Sequence, residues 1–429
     1  MYERKFRFGS FVNRLVLVST LALGMGGCMG AVEGSASQDG TATTPDGETT
    51  QALRSSGTRR PRGTGGSLGS GGSFATGGAP GTGGASATGG APGTGGASAT
   101  GGASGTGGAA AVPPSAHQQR PSYNTGTGFF VVGSKLYDAN GNDFRIRGLN
   151  HLHWDSPSIG IPKTGANTER WDIDFNQPIA NNIALMQKSI ANKLVPMPGA
   201  WEGTCDDGTA SLSGIVGKWV ATAAQWKAVE KHVLINIANE WGPSNSTIWR
   251  DQYIAAVAAL RAAGIKSTLV VDAGGCGQNN LDLTQYAAAV LNSDPQKNIL
   301  FSQHIYGGWQ ASNAQAWQTD LNQGLDALAA TGLAVVIGEF GPGRNIGPSP
   351  TLITPAQLIG GAEARGLGWL AWAWDDPAGE YTSPPEDAWF ALSFTGDYRS
   401  SADLTTFGKD VVENATYGLR ALARPASVF

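Results

Sequence analysis

Residues 233–241 read VLINIANEW, an apolar, β-branched run that stops abruptly in Asn239, Glu240 and Trp241. A short apolar run bounded by polar residues is the pattern of a strand buried on both faces, and such strands belong to parallel sheets covered by helices. In a parallel α/β barrel the chemistry sits at the carboxyl ends of the strands, so Glu240 is the first catalytic candidate. A second run of the same kind, AVVIGEFG at 334–341, ends in Glu339.

Further runs fall at 144–148, 168–174, 194–197, 268–271, 299–304 and 368–372, which makes eight strands with the two above. Helical periodicity separates most of them, at 179–191, 215–229, 249–263, 283–291 and 314–330. Between the first and second strands Pro157, Gly160 and Pro162 break the chain, so that crossover is expected to shrink to a turn. Ahead of the first strand, 129–132 and 135–137 flank Gly133 and Ser134 and read as a hairpin capping the barrel floor. This spacing predicts a (β/α)₈ TIM barrel over residues 122–429. The first strand ends in Asn150, His151, His153 and Trp154, a polar and aromatic cluster suited to sugar contact. Two carboxylates on one barrel face suggest glycoside hydrolysis, in which one protonates the leaving oxygen and the other acts at the anomeric carbon.

The remainder of the chain reads differently. Glycine makes up 63 of 429 residues, too many for one ordinary domain, so part of the chain should be unpacked. Arg4, Lys5, Arg7 and Arg14 precede an apolar stretch at 15–25, the pattern of an export signal over 1–28. Gly26, Gly27 and Cys28 resemble a bacterial lipoprotein signal with Cys28 as the lipidated residue; plain signal-peptidase cleavage is the alternative. Either way the protein is expected to be exported, as a cell-surface or outer-membrane lipoprotein or in free form, touching a membrane only through a lipid anchor. Residues 29–121 form a Gly-rich linker in which the block TGGAPGTGGASA at 76–87 recurs at 88–99; without large apolar side chains it reads as a disordered tether. Once Cys28 is set aside, Cys205 and Cys276 are the remaining pair, read in an oxidising compartment as a disulfide if their Cα atoms come within range. A net charge of −4 argues against a nucleic-acid partner, and no metal-binding spacing of Cys or His occurs.

With the strand ends side by side, the stretches INIANEW at 235–241, FSQHIY at 301–306, VIGEFG at 336–341 and GWLAWAW at 368–374 resemble glycoside hydrolase family 5, the cellulase family, and within it bacterial β-mannanases. The resemblance implies a retaining endo-β-1,4-glycanase, a monomer without metal or organic cofactor. Its substrate would be mannan, glucomannan or a β-glucan. Glu240 matches the general acid/base and Glu339 the nucleophile. Arg170 matches the arginine that keeps the nucleophile ionised. Asn239 is expected at the sugar 2-hydroxyl or the nucleophile, His304 and Tyr306 beside the two carboxyls, and Trp372 under a sugar ring. His151 is held between substrate contact and structural support, and Trp374 between ring contact and core. After the third strand the family places His then Asp, where this chain has Trp201 and Glu202. Trp201 is therefore expected to widen the stacking surface, and Asp172 to share a face with Arg170 and compete with Glu339 for it. The alternatives are an endo-β-1,4-glucanase or xyloglucan-type enzyme, and a carbohydrate-binding pseudoenzyme.

Overall fold

The computed structural model describes residues 117–151, 159–312, 318–342, 352–374 and 390–429. The expected export segment, Cys28, residues 29–116 of the expected linker, His153 and Trp154 lie outside the described residues. Eight parallel strands close into a barrel: β1 (Arg147–Asn150), β2 (Thr168–Asp172), β3 (Val195–Gly199), β4 (Leu234–Asn236), β5 (Thr268–Asp272), β6 (Ile299–Ile305), β7 (Val335–Phe340) and β8 (Gly368–Ala371). Each pairs with its sequence neighbours, and β8 returns to β1. The chain thus folds as the expected (β/α)₈ barrel.

Alternation along these strands builds two cores. Val195, Met197, Leu234, Val270, Leu300, Val336 and Leu370 point inward and fill the lower barrel. The hairpin of Phe130–Val132 and Lys135–Tyr137 closes that end with Phe129, Val131 and Leu136. The outward residues, among them Ile235, Leu269, Val271, Phe301 and Trp369, pack under the helices. Residues 117–121 fall on the linker side of the expected boundary yet are held to this body: the Gln118 N–H donates to Gly141 O, and the Arg120 guanidinium lies 4.3 Å from the Phe130 ring centre.

The helices follow the 3.6-residue pattern, with ends set by local capping. α1 (Ile179–Ala191) has the expected bounds and buries Ile183 and Met186. α2 (Thr209–Ala221) starts earlier than expected because Leu212 is already an anchor for its buried face, and it stops where the Thr222 hydroxyl donates to the carbonyls of Lys218 and Trp219. α3 (Thr247–Ala262) is opened by the Ser246 side chain and buries Trp249, Tyr253, Val257 and Leu260. α4 (Ala287–Ser293) continues a five-residue π-helical stretch. α5 (Leu321–Ala330) begins only after Asp320, whose carboxylate caps the Gln323 N–H, so residues 318–320 are not part of the helix expected from 314. α6 (Pro355–Ala364) carries a capping box of Thr354 and Gln357, and α7 (Thr406–Glu413) and α8 (Leu419–Leu422) complete the described chain. Among its described residues the first crossover carries one 3₁₀ turn, Ile161–Lys163.

One buried acid lies on the outer side of the barrel. Glu169 alternates with Arg170 on β2, so it faces away from the interior, fully buried with His151 3.8 Å away. Burial pushes its carboxyl up to about 7. Between the ordinary carboxylate range and that value the folded chain keeps a proton that the unfolded chain releases, so this group makes stability fall as pH rises through the window. Glu169→Gln should remove that fall. Denaturant unfolding of the two proteins at pH 4.5 and 8 should differ in its pH dependence by an amount of order 2–3 kcal/mol; parallel dependences would refute the assignment.

Candidate active site

Arg170 rises from β2 into the barrel mouth with no exposed side-chain surface. Its Nη1 donates to Glu339 Oε1 at 2.7 Å and to Asn150 Oδ1 at 3.0 Å. Its Nη2 donates to Asn236 Oδ1 at 2.9 Å and to Asn239 Oδ1, with Asp272 Oδ2 at 3.4 Å. A buried cation needs this density of acceptors because desolvation would otherwise expel it. Five partners from β1, β4 and the segment after it, β5 and β7 are thereby gathered around one side chain.

Glu339 reaches this point through an irregularity in β7. Val336 faces inward, so strict alternation would send Gly338 inward and Glu339 out under the helices. The register against β6 shifts between Ile337 and Glu339, a bulge that turns the carboxyl to the mouth. There Tyr306 OH donates to Glu339 Oε2 at 3.0 Å. Burial pushes this carboxyl up, while the Arg170 charge acts to lower it.

Glu240 lies past the end of β4 in left-handed backbone, φ 51°, a conformation costly for a residue with a Cβ. Its N–H donates to Asp272 Oδ2 at 3.0 Å, which helps hold the loop there. Its Oε1 is 2.8 Å from His304 Nδ1. Burial and then the Asp272 charge raise the Glu240 carboxyl to about 8, so at neutral pH it keeps its proton. Burial lowers His304, which fits a neutral ring whose Nδ1 accepts that proton in a hydrogen bond while Nε2 faces Asp272, 3.6 Å away.

One oxygen of each glutamate and a ring nitrogen of His304 lie within 4.8 Å of one another. These are also the donor types of a metal site, but the Arg170 charge already sits against Glu339 and opposes a cation between the same carboxyls. The arrangement offers a protonated acid and a cation-paired carboxylate side by side, suited to displacement at a carbon between them.

The other expected residues divide. Trp372 and Trp201 are partly exposed at the mouth, their rings 5.1 Å apart and tilted by 46°, with the Arg170 guanidinium 5.6 Å from the Trp201 ring. Asn239 uses Oδ1 for Arg170, and one Nδ2 hydrogen goes to Thr204 Oγ1 at 2.9 Å, so it braces the guanidinium and keeps one donor hydrogen for a ligand. The expectation that Asp172 competes for Arg170 is corrected: Asp172 Oδ1 accepts the Trp201 N–H at 3.0 Å, and the guanidinium donates to Glu339 and other acceptors instead. His151 is not at the mouth. It lies one residue beyond inward-facing Asn150, is buried, and stacks on Trp171 at 5.6 Å beside Glu169. Trp374 is core, its indole N–H donating to Gly396 O, and Glu202 is spent on an exposed ion pair with Lys218. Cys205 and Cys276 are bridged, with Cα atoms 4.5 Å apart.

Residues 198–377 match the family described as Cellulase (glycosyl hydrolase family 5). A mannan endo-1,4-beta-mannosidase of Salipaludibacillus agaradhaerens is 34% identical over 317 residues, which cover 70% of this chain and 96% of that protein. The chain belongs to glycoside hydrolase family 5. It is a glycosidase. Two solved structures are also similar: the catalytic domain of a mannanase from Streptomyces sp. SirexAA-E (27% identity, TM-score 0.60, 73% of this chain and 98% of that one) and a β-mannanase from Streptomyces thermolilacinus with mannohexaose (29% identity, TM-score 0.59, 70% and 98%).

Against this family frame, the residue that the sequence reading overlooked is Asp272. It is fully buried at the end of β5 and contacts Asn236, the Glu240 N–H, Arg170 and His304. The signal was present, because the run at 268–272 ends in an acid just as the one before Glu240 does. Asp272→Ala removes a buried counter-charge of Arg170 and the acceptor of the Glu240 N–H, and should cost about 3–5 kcal/mol in denaturant unfolding. A loss below about 1 kcal/mol would refute its bracing role.

Proposed function

We propose that this glycosidase is a retaining endo-β-1,4-glycanase acting on mannan-type polysaccharide, a β-mannanase. The observation that supports a close-set pair is that one carboxyl oxygen of Glu240 and one of Glu339 lie within 4.8 Å of each other. Retaining enzymes keep the two carboxyls about 5–5.5 Å apart, whereas inverting ones leave about 6.5–9.5 Å for a water. The substrate class is supported by the relative of Salipaludibacillus agaradhaerens, named for mannan, and by the mannohexaose held in the Streptomyces thermolilacinus structure.

On this reading, Glu339 attacks the anomeric carbon as Glu240 gives its proton to the departing glycosidic oxygen. The bond from carbon to that oxygen breaks, and a glycosyl-enzyme ester remains on Glu339. Glu240, now a carboxylate, takes a proton from water, which attacks the same carbon and releases Glu339, so two inversions give net retention. Arg170 and Tyr306 hold the nucleophile with charge and hydrogen bond, and His304 accepts from Glu240 while that residue is protonated. The tilted rings of Trp201 and Trp372 supply apolar faces on which a pyranose can lie. The complete carboxyl pair with its cation supports turnover over the pseudoenzyme alternative.

The reading extends to the whole chain: an export segment over 1–28 with lipidation at Cys28, a tether that starts at 29 and ends before residues 117–121, which are held to the barrel, and a monomeric catalytic barrel through to 429. The basic and apolar pattern of the first residues supports export. Metabolic labelling with palmitate, lost on Cys28→Ser, tests the anchor.

Glu339→Ala and Glu240→Ala should each lower kcat on a mannan polymer by roughly 10⁴-fold or more with the fold unchanged. Near-wild-type turnover by the first would refute the mechanism. Products analysed before mutarotation should keep the β configuration. In a reducing-end assay, galactomannan and glucomannan should be cleaved far faster than mixed β-glucan or xyloglucan, and the opposite order would place the enzyme among glucanases. The alkaline limb of kcat/KM should fall near pH 8, where Glu240 loses its proton.

A further inference from the structure

The loop that carries Glu240 lies between two others. The Gly242 N–H donates to Asp206 O at 3.0 Å in the loop after β3, and the Gly275 N–H donates to Gly242 O at 2.8 Å in the loop after β5. The Cys205–Cys276 disulfide joins those two outer loops, so one covalent bond and two backbone hydrogen bonds enclose the Glu240 segment. Both half-cystines have left-handed backbone, φ 56° and 55°, a rare conformation for residues with a Cβ.

Each end of the bridge also reaches the acid/base group. Cys205 Sγ lies 3.5 Å from Glu240 Oε2, and as a bridged sulfur it carries no hydrogen to donate. It therefore covers one carboxyl oxygen without hydrogen-bonding to it as water would. At the other end Cys276 precedes Gly277, whose carbonyl accepts the His304 N–H at 2.8 Å and the Gln303 side-chain amide at 2.7 Å. Gly277 has φ 72°, and a Cβ there would lie 2.7 Å from the His304 ring, so backbone is pressed directly against the imidazole that contacts Glu240 Oε1.

We propose that the Cys205–Cys276 bridge is a positioning element for the acid/base carboxyl, excluding water from one oxygen of Glu240 and backing the His304 ring that contacts the other. This rests on the reading of Glu240 as the acid/base. The groups facing that carboxyl are His304 and Tyr306 from β6 and its end, Asp272 from β5, Arg170 from β2 and Glu339 from β7, and all of them remain when the bridge is removed. The burial that keeps the Glu240 proton on at neutral pH is thus supplied in part by sulfur, and opening the bridge lets water solvate the charged form.

The test is the pH profile of the Cys205→Ser/Cys276→Ser enzyme on a mannan polymer, with Glu240→Ala alongside. The alkaline limb of kcat/KM should move down by at least about half a pH unit, a roughly threefold loss on that side, and kcat should fall with KM little changed. A limb that superimposes on wild type while only Tm drops overturns the proposal and leaves the bridge a loop staple. Glu240→Ala with wild-type activity overturns it by a different route, through the acid/base reading itself. If the double variant fails to fold, folded wild type reduced with a phosphine and checked by circular dichroism gives the same readout, and an unmoved limb is again the negative result.

Discussion

A guanidinium with no exposed surface sits at the centre of the barrel mouth, and its demand for acceptors organises what surrounds it. The two terminal nitrogens of Arg170 find acceptors only if Glu339, Asn150, Asn236, Asn239 and Asp272 converge from separate parts of the barrel. An unpaired charge in such a place costs several kcal/mol, so each of these partners is held by the same requirement. The bulge in β7 and the left-handed residue after β4 are local irregularities that this convergence maintains. A positive charge thus serves as the structural hub of a site lined with acids.

The same hub separates the two glutamates in character. Glu339 has a direct cation and a phenol hydroxyl, both of which favour its charged form. Glu240 is buried beside a negative aspartate, and both favour its proton. Two side chains of one residue type, a few ångströms apart, thus have neighbours of opposite character, a cation against Glu339 and an aspartate near Glu240. Asp272 contributes on both counts, as a counter-charge to Arg170 and as a negative neighbour of Glu240.

Much of the fold was legible because a parallel barrel writes itself in the chain as apolar runs alternating with amphipathic helices. Where the reading failed, a local contact had overridden the periodicity. Asp320 delays α5, and Thr222 ends α2. At the site, Glu240, Glu339, His304 and Tyr306 were legible from their places at strand ends. His151, left open between substrate contact and structural support, stacks on Trp171, since one step past Asn150 alternation carries it to the outer face. Asp172 was misjudged because alternation gives the face of a side chain and not its partner.

The sequence by itself determined the barrel, the family and the two glutamates, because strand burial and the residue at each strand tip are local properties of the chain. Only the tertiary structure decided that Asp272 joins Arg170, that Asp172 serves Trp201, that β7 bulges at Gly338, and that Cys205 and Cys276 close around the Glu240 loop. Each of these depends on a distance between residues far apart in sequence. A buried charge finds its partner in space, after packing has fixed which strands are neighbours.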